Sequence, residues 1–399
     1  MTAQLAGVRV VELGDEPVAM AGKVLADLGA EVVLVEPPGG GRARRVPPLV
    51  RTAAGEEVSP HFLFNAAGKR SVTAQVTQAG GAGLVRRLLR SADVVLVSDD
   101  DETLRSRGLD YTTLHAEHPR LVVTSVTPFG RRGPRRRWQG SDLVAWAASG
   151  ALVSIGDPDR RPLAPGGNLA QAAGSLNAVA GTVLALRARA RSGRGQLVDI
   201  SLQEAVLSVT GESGPYFTRE GAPTGRIGRR RAAAQGLFPT KDGLVELLPF
   251  MPGQWDALAG WIHEELGIEE ATMDTFRGPV TARIPFAALI DGWVEQLTGR
   301  YTKHDFLYEA QRRGIPCGAV NEPGDLLADP HLEAVGGWVR HDQAGIGPIM
   351  WPRPPLRFGG EAMESGTVPG LGADNEDIWG RELGLNRAEL AALRVEGSI

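Results

Sequence analysis

The first 200 residues alternate short, β-branched apolar segments with stretches whose apolar residues recur at helical spacing. Strands that alternate with helices are typical of a parallel sheet with helices packed on both of its faces. Gly29 follows the first helical stretch, in the position where glycine commonly ends a helix. The pattern predicts strands at 8–13, 31–36, 93–98, 121–127 and 196–201, and helices at 18–28, 82–89 and 169–189, the last a tightly packed interior helix.

The pattern changes after residue 217. The stretch 219–232 is rich in glycine and arginine and predicts a linker. Residues 233–325 have the features of a smaller α+β unit, with a hairpin signal at 237–248 whose turn is Asp242-Gly243. Helices are predicted at 254–266, 285–297, 303–313 and, after a return to strands punctuated by proline and glycine, at 387–396.

Charge and cysteine content argue against several classes of protein. The net charge is −4 at pH 7, whereas nucleic-acid-binding proteins present strongly basic surfaces. The single cysteine, Cys317, allows neither an internal disulfide nor a multi-cysteine metal site, and we expect a buried, inert thiol.

The chain start lacks a signal-peptide pattern, and the longest apolar stretch, 143–155, is too short to span a bilayer. We therefore expect a cytoplasmic protein with no nucleic-acid or membrane partner.

General catalytic motifs leave the function open. The chain has no Walker sequence and no Gly-x-Ser-x-Gly elbow, and the glycines at 39–41 lack the spacing of a dinucleotide-binding loop. His115 and His118 flank Glu117, which we interpret as a solvated helix end rather than a metal site. The acidic run 99–102 can hold a divalent cation, but we interpret it as a solvated helix N-terminus. We therefore expect no metal.

A series of short motifs runs in order along almost the whole chain. The most specific are Arg191-Ser-Gly-Arg-Gly-Gln-Leu-Val-Asp-Ile-Ser201 and Gly314-Ile-Pro followed by Gly318 and Asn321. Others are Leu25-Ala-Asp-Leu-Gly-Ala-Glu31, Gly68-Lys-Arg-Ser71, Leu327-Ala-Asp-Pro-His-Leu332 and Pro355-Leu-Arg-Phe358. In these motifs and their order the chain resembles the family III CoA-transferases (CaiB/BaiF type), such as formyl-CoA transferase and the carnitine CoA-transferases, and, within the same superfamily, α-methylacyl-CoA racemase.

The resemblance implies an α/β fold with two domains. A Rossmann-like large domain is expected from residues 1–218 and 326–399, a linker at 219–232 and a small α+β domain at 233–325. A large domain made from both chain ends accounts for the return of the first pattern near the C-terminus. The resemblance also implies a dimer whose two subunits are threaded through each other as interlocked rings.

The resemblance implies carboxylate exchange on an acyl-CoA thioester, with coenzyme A as substrate or cosubstrate and a small carboxylic acid as acceptor. In this family an aspartate early in the long helix attacks the thioester carbonyl and then carries the acyl group. The matching position in this sequence is Gln171, and a carboxamide is a poor nucleophile that cannot carry an acyl group. The standard transferase mechanism therefore lacks its nucleophile here.

The racemase branch of the family fails residue by residue. That branch uses a histidine immediately before the aspartate that matches Asp142, and the corresponding residue is Ser141. A further acid, expected soon after the hairpin, falls near Met251. The α-proton transfer needs groups that titrate near neutrality, and Ser141, Gln171 and Met251 supply none.

The contacts that the resemblance implies for coenzyme A are also altered. The Glu-Arg-Pro found after the second strand in many members is Glu36-Pro37-Pro38, and a phosphate-contacting arginine is replaced by Asp100. Lys69 and Arg70 remain. An arginine cluster can replace the lost bases by binding phosphates, or can form a solvated loop: Arg131, Arg132, Arg135, Arg136 and Arg137. A second cluster, Arg226, Arg229, Arg230 and Arg231, is interpreted as solvated or domain-bridging.

Three hypotheses about function follow. The first is an acyl-CoA enzyme with a non-standard site formed by Gln171, Asp142, Ser141 and Asn168, in which Gln171 donates a hydrogen bond to the thioester carbonyl and Asp142 is an acid or base. The second is a non-catalytic subunit of a heteromer whose partner, another family III chain, brings the aspartate. The third is a binding protein, or an enzyme that does not use coenzyme A, on the same scaffold. We expect a homodimer under the first hypothesis and a heteromer under the second.

Overall fold

The structure, a computed structural model, describes residues 3–14, 16–52, 55–211, 213–222, 225–226 and 230–399. The chain divides into two compact units. The first consists of Met1–Ala151, Ala164–Glu220 and Glu333–Ile399, and the second of Leu152–Leu163 and Gly221–Leu332. Positions 223, 224 and 227–229 of the predicted linker lie outside the described residues.

A parallel six-stranded sheet forms the centre of the first unit, in the order β5-β2-β1-β6-β7-β8. The strands predicted at 8–13, 31–36, 93–98, 121–127 and 196–201 are confirmed. Their β-branched residues, such as Val11, Val33 and Val95, are fully buried, as expected for a parallel sheet that is covered on both faces. The strands are β1 Arg9–Glu12, β2 Glu31–Glu36, β5 Arg70–Thr73, β6 Val94–Val97, β7 Val122–Thr127 and β8 Leu197–Ser201, with a short antiparallel pair β3 Val50–Arg51 and β4 Glu57–Val58.

The order of these strands creates a switch point. From β1 the chain moves outward through β2 to β5, and then returns to the other side of β1 to form β6, β7 and β8. Connections that leave neighbouring strands in opposite directions open a crevice at the carboxyl ends of those strands, where ligands bind in open α/β sheets. The crevice here lies between β1 and β6.

Helices flank the sheet and alternate with its strands. In the first half they are α1 Glu16–Asp27, α2 Pro60–Ala66, α3 Ala79–Leu88, α4 Asp101–Ser106, α5 Tyr111–Glu117, α6 Asp142–Ala148, α7 Leu169–Ser192, α8 Leu202–Val209 and α9 Ser213–Glu220. Later helices are α10 Pro252–Leu266, α11 Ala287–Thr298, α12 Lys303–Arg312, α13 Pro323–Leu327, α14 Pro330–Ala334 and α15 Arg387–Val395, and a π-helical segment spans Glu376–Glu382. Short 3₁₀ segments include Arg42–Arg45, Leu152–Ser154 and Val280–Phe286.

The C-terminal segment covers the edge strand β5, which the sequence did not predict. Asp374 Oδ2 accepts the Ser71 N–H at 2.8 Å, and Asn375 Oδ1 accepts the Thr73 N–H at 2.8 Å. Trp379 donates its indole N–H to the Thr73 carbonyl at 3.1 Å. These side chains satisfy the backbone groups that an edge strand would leave unpaired, so the end of the chain completes the sheet formed by its beginning.

The helix predicted at 169–189 is the long helix α7, but the prediction that it lies wholly in the interior is wrong within this chain. Its inner side packs against the sheet, where Thr182 hydrogen-bonds Thr124 at 2.7 Å. Leu176 and Leu184, on its other side, are 51% and 62% exposed. The helix is long and apolar enough to cross a bilayer, but its contacts with α1, β7 and β8 are those of a core helix in an α/β protein.

The second unit contains an antiparallel sheet in the order β12-β11-β10-β9. Its strands are β9 Arg230–Ala232, β10 Gln235–Pro239, β11 Leu244–Leu247 and β12 Cys317–Ala319, and the predicted hairpin is confirmed because Pro239 pairs with Leu244 around the Asp242-Gly243 turn. The core is aromatic, with Trp255, Trp261 and Phe238 fully buried. The predicted helix at 285–297 begins later, at Ala287, because Pro285 lies in the preceding 3₁₀ segment.

The remaining strands lie in the C-terminal part of the chain. Strands β13 Trp338–Gln343 and β14 Gly347–Pro352 pair antiparallel, as do β15 Arg357–Phe358 and β16 Glu361–Ala362. Trp351 of β14 is buried against Phe62 and Leu63 of α2. The strands predicted after residue 326 are therefore hairpins within the first unit, separate from its parallel sheet.

Candidate functional site

The carboxyl ends of β1, β2, β5 and β6 enclose a cavity of about 380 Å³, which we call the switch pocket. Its position at the switch point of the sheet is the usual ligand site of an open α/β fold. Leu34, Phe62 and Ala66 give it an apolar side, and charged groups stand at its floor and rim. Its polar, charged and glycine lining includes Glu12, Gly14, Glu36, Gly41, Arg42, Arg45, Asn65, Lys69, Thr77, Ser98, Asp99 and Arg107.

A buried ion pair forms the floor of the switch pocket. Lys69 Nζ lies 2.8 and 2.7 Å from the two carboxylate oxygens of Glu12 and donates to the Ala19 carbonyl at 2.9 Å. Both side chains are only 1% exposed. Burial lowers the pKa of Lys69, and the Glu12 carboxylate opposes that effect. The three N–H donors of Lys69 are thus already engaged inside the protein. Its predicted contact with coenzyme A stays a prediction.

Gly22 makes this ion pair sterically possible. A Cβ atom at position 22 would lie 1.7 Å from Glu12 Oε2 and 2.9 Å from Lys69 Nζ. The floor of the pocket therefore depends on a glycine in the middle of α1, where glycine otherwise weakens a helix.

A basic turn forms the rim of the switch pocket after β2, and sequence reasoning missed it. Glu36 binds Arg44 through two hydrogen bonds of 2.7 Å, and Arg44 lies over the Phe62 ring at 4.2 Å. Arg42 and Arg45, on the same 3₁₀ turn, line the pocket. The sequence feature that could have indicated this turn is a run of arginines directly after the glycines that follow a buried strand. Turns of this kind can bring backbone N–H groups and cations close to a bound phosphate.

The predicted catalytic residues meet at the N-terminus of α7. Asp142 Oδ1, in the first turn of α6, accepts the backbone N–H of Gln171 at 3.1 Å. Ser141 is the N-cap of α6 and accepts the Val144 N–H at 3.5 Å. Asn168 is the N-cap of α7, has a left-handed backbone with φ of 54°, and makes no capping bond through its side chain. Asp142 thus supplies from α6 the cap that Asn168 does not supply.

The Gln171 side chain stands at the positive end of a long helix. Its Oε1 atom is buried and accepts no hydrogen bond from any residue that the structure describes. One turn later, Ser175 donates to the carbonyl of Pro17 at 3.1 Å, where α1 begins. Gly14, just before α1, and Ala19, within it, line the switch pocket, so Ser175 joins α7 to the helix that borders the pocket, although no residue of α7 lines it.

Arg70 is bound by the C-terminal segment. Its guanidinium contacts Glu31 at 2.7 Å, Asp374 at 3.1 Å and Glu382 at 2.9 Å, and also pairs with Asp377. In this conformation the side chain joins the sheet to the segment that covers β5. Its predicted contact with coenzyme A stays a prediction.

The predicted arginine cluster and the acidic run face each other across a second cavity of about 210 Å³, the arginine pocket. Asp99 pairs with Arg107 at 2.6 Å, and Glu102 pairs with Arg137 at 3.3 Å. Asp101 pairs with Arg131. The run does form the N-terminus of α4 with exposed carboxylates, as predicted, but these three acids are also paired with arginines, which the sequence did not predict. Arg107 was not among the predicted residues.

The other members of the two runs have separate roles. Asp100 is the N-cap of α4, and the Thr103 N–H bonded to its carboxylate lowers the pKa of that group. Arg135 stacks on Trp138 at 5.2 Å. Arg136 lines the arginine pocket, and Arg132 is exposed.

The remaining candidate residues that the structure describes line neither pocket. Among the described residues no group of three or more histidines, cysteines or acids is arranged to hold a metal ion. Burial raises the pKa of Cys317 to about 12, so its thiolate is scarce at neutral pH. Arg226 binds the Asp157 carbonyl at 3.0 Å within the second unit. Arg229 and the side chains of Arg230 and Arg231 lie outside the described residues.

Comparison with known proteins identifies the class to which this fold and site belong. The family model for CoA-transferase family III matches residues 5–375. The chain therefore belongs to CoA-transferase family III, as the order of its motifs predicted.

Individual relatives are similar over nearly their whole length. The chain is 32% identical over 369 residues to succinate–glutarate CoA-transferase of Agrobacterium fabrum (strain C58), with 89% of this chain and 91% of that protein covered. It is 32% identical over 382 residues to the BbsE subunit of succinyl-CoA:(R)-benzylsuccinate CoA-transferase of Thauera aromatica, with 93% and 92% covered. The crystal structure of a CAIB/BAIF family protein from Brucella suis superimposes with a TM-score of 0.85 at 30% identity, covering 96% of this chain and 100% of that one.

Proposed function

We propose that this chain binds a CoA thioester in the switch pocket and presents the acyl carbonyl to the N-terminus of α7, where Gln171 acts as a hydrogen-bond donor in place of a carboxylate nucleophile. The observation that carries the proposal is the 3.1 Å hydrogen bond from the Gln171 N–H to Asp142. It fixes the first turn of α7, and with it the point from which the Gln171 carboxamide leaves the helix.

The proposed chemistry needs no covalent enzyme intermediate. The acceptor carboxylate attacks the thioester carbonyl, forming a C–O bond, and the C–S bond then breaks to release CoA thiolate and a mixed anhydride of the two acids. The thiolate attacks the acceptor acyl carbon, forming the new C–S bond and releasing the donor acid. The Gln171 amide N–H and the positive end of α7 stabilise the oxyanion that develops in each attack.

In this mechanism Asp142 is a positioning residue. Its Oδ1 atom is already bound to a backbone N–H, and neither attack by a carboxylate or a thiolate requires a proton transfer. The earlier hypothesis that Asp142 is an acid or base is therefore not part of the proposal. Ser141 and Asn168 act through the helices that they begin.

Calorimetry with CoA and an isotope-exchange assay test the proposal. The exchange of ¹³C-labelled succinate into succinyl-CoA is measured for the wild type, for Gln171→Ala and for Asn177→Ala, a control amide on the exposed side of α7. We expect CoA binding, wild-type exchange, a loss of about 100-fold in Gln171→Ala, as for an oxyanion-hole donor, and little change in the control.

The variant Gln171→Asp separates this mechanism from the standard one. A carboxylate at position 171 can accept the acyl group, so we expect an acyl-enzyme in this variant, detected by intact mass and removed by hydroxylamine, and none in the wild type. An acyl-enzyme in the wild type would refute the proposed role of Gln171. Absence of CoA binding at millimolar concentration would favour the third hypothesis, a different function on the same scaffold.

A second candidate function is that of a non-catalytic subunit in a heteromer. It is favoured by the apolar surface formed by α6, α7 and α8, where Leu143, Leu184 and Val209 are 53%, 62% and 64% exposed. Exposed apolar side chains on helices that pack together are typical of an interface, and BbsE is itself named as a subunit. The proposed occupant is a second copy of this chain in the first function, and a different family III chain in the second.

The two candidates differ in what the purified chain does alone. A homodimer by light scattering that exchanges succinate supports the enzyme. A chain that binds CoA but exchanges succinate only after co-expression with a second family III chain carrying the aspartate supports the subunit.

A further inference from the structure

The acids at the carboxyl end of β6 act on the same cations that a phosphate would use. Asp101 pairs with Arg131, and Glu102 pairs with Arg137 at 3.3 Å. The next element along the sheet, the loop after β7, carries both arginines. Within the arginine pocket, therefore, each of these cations already has an internal anion.

Arg131 is built into the protein as a fixed cation. Its backbone N–H donates to the two carboxylate oxygens of Asp199 on β8 at 3.2 and 3.1 Å, and its Nη2 atom donates to the Asp99 carbonyl at 3.1 Å. The residue as a whole is only 8% exposed. Its Nε atom is buried without a hydrogen-bond partner among the described residues. A buried donor without an acceptor is costly, so the internal partners of Arg131, which lines the arginine pocket, do not fully satisfy its guanidinium.

The carboxylates are much freer than this cation. The Asp101 and Glu102 side chains are 43% and 69% exposed, whereas the Arg131 side chain is 5% exposed. Glu102 loses little when it turns from Arg137 to water, because both side chains are exposed and exposed ion pairs contribute little. Asp101 pairs with a buried cation, so it leaves Arg131 only when another anion takes its place. A phosphate, by contrast, binds a fixed guanidinium through short, charge-assisted hydrogen bonds. The geometry thus allows exchange of the internal anion for a ligand anion.

We infer that Asp101 and Glu102 are specificity-determining residues that lower the affinity of the arginine pocket for phosphate-bearing ligands. They compete for Arg131 and Arg137, and they repel an incoming polyanion. A ligand must displace them with phosphate groups in order to bind. Asp99 lines the switch pocket and the next residue, Asp100, lines the arginine pocket. The identification of the ligand with the nucleotide end of a CoA thioester whose acyl end lies in the switch pocket rests on the proposed function, while the competition itself concerns any phosphate ester.

Neutral variants of the two acids test this inference. Binding of CoA and of pyrophosphate is measured by calorimetry in 50 and 200 mM NaCl for the wild type and for Asp101→Asn/Glu102→Gln. We expect the double variant to bind both ligands more tightly by about five-fold at the lower salt concentration and by less at the higher one, since surface charges are screened.

The matched control is Glu56→Gln/Glu57→Gln, which removes the same charge from the surface hairpin of β3 and β4, where Glu57 pairs with Arg51 at 3.6 Å. It should leave both affinities within about two-fold of the wild type. Glu102→Gln alone, at a side chain that is 69% exposed, provides a variant whose folding is secure if the double variant is unstable.

The outcomes separate this inference from the proposed function. CoA and pyrophosphate that bind equally to the wild type and the double variant, or more weakly to the variant, overturn the competition. Pyrophosphate that binds more tightly to the double variant while CoA binds to neither protein supports the competition and contradicts the CoA function. An equal gain in the Glu56/Glu57 control also overturns the inference, because it assigns the effect to net charge.

Discussion

The floor of the switch pocket and the wall of the arginine pocket use the same chemistry in opposite surroundings. Glu12 and Lys69 are each 1% exposed and 2.7 Å apart, whereas Glu102 and Arg137 are 69% and 64% exposed and 3.3 Å apart. Both pairs lie near the carboxyl edge of one parallel sheet. The exposure of each pair to water determines whether it can open.

The buried pair is a structural device because neither member can leave. Lys69 connects the end of β1 with the first turns of α1 by binding Glu12 and the Ala19 carbonyl together. The exposed pair can open at low cost, and it therefore suits a place where a ligand has to compete. A charge near a pocket is thus not by itself a ligand contact, since its burial and existing partners determine whether it is available.

The largest effect is expected from breaking the buried pair on one side. Lys69→Met removes the cation from the buried Glu12 carboxylate, and we expect a loss of about 3–5 kcal/mol in the free energy of unfolding. Glu102→Gln, which breaks an exposed pair, should change the same quantity by less than about 0.5 kcal/mol. Urea denaturation at pH 7 measures both variants.

The double variant Glu12→Leu/Lys69→Met sharpens this result. With both charges replaced by apolar groups, most of the lost stability should return, because the desolvation cost disappears together with the attraction. If Lys69→Met alone is as stable as the wild type, the contrast between buried and exposed pairs does not hold at this sheet edge.

An intermediate effect is expected at Asp142, a carboxylate that binds a backbone N–H and not a cation. Asp142→Ala removes the acceptor for Gln171 and should cost about 1 kcal/mol, as for the loss of a helix cap. Asp142→Asn keeps an acceptor oxygen and should retain most of that stability together with wild-type exchange of succinate. Urea denaturation and the exchange assay together check this. Exchange that disappears in Asp142→Asn while stability is kept would make Asp142 an acid or base.

Much of the fold could be predicted because it depends on local pattern. Buried parallel strands such as 31–36 are continuous runs of β-branched residues, and the hairpin turn is fixed by Asp242-Gly243. Strand β5 could not be predicted, since Arg70-Ser-Val-Thr73 carries a single large apolar residue. It becomes a strand by pairing with β2, and Asp374 and Asn375, some 300 residues later, accept the N–H groups of Ser71 and Thr73 on its outer edge.

Part of the candidate site could also be predicted from the sequence. Gln171 and Asp142 were both selected from sequence, and the structure brings them within a hydrogen bond. Lys69 and Arg70 were selected as available cations because their partners are remote in sequence: Glu12 is 57 residues away and Asp374 is 304 away. The pairing of the acidic run with the arginine cluster required the folded sheet, which brings the ends of β6 and β7 side by side.

The smallest effect concerns Asp100, the one member of the acidic run that caps a helix. Its carboxylate accepts the N–H groups of Glu102 and Thr103, and the bond from Thr103 lowers its pKa in the folded protein. A carboxyl whose folded pKa lies below its unfolded value contributes stability above the unfolded pKa and loses it as the pH falls through the folded one. Asp100→Asn keeps the cap but has no proton to gain, so the wild type should be more stable by about 0.3–1 kcal/mol at pH 7. The gap should be smaller at pH 3, because that pH is already below the ordinary aspartate pKa of about 3.9. Urea midpoints of both proteins at the two pH values measure the gap, and a gap that is the same at both would show that the Asp100 carboxylate acts only through its shape as an acceptor.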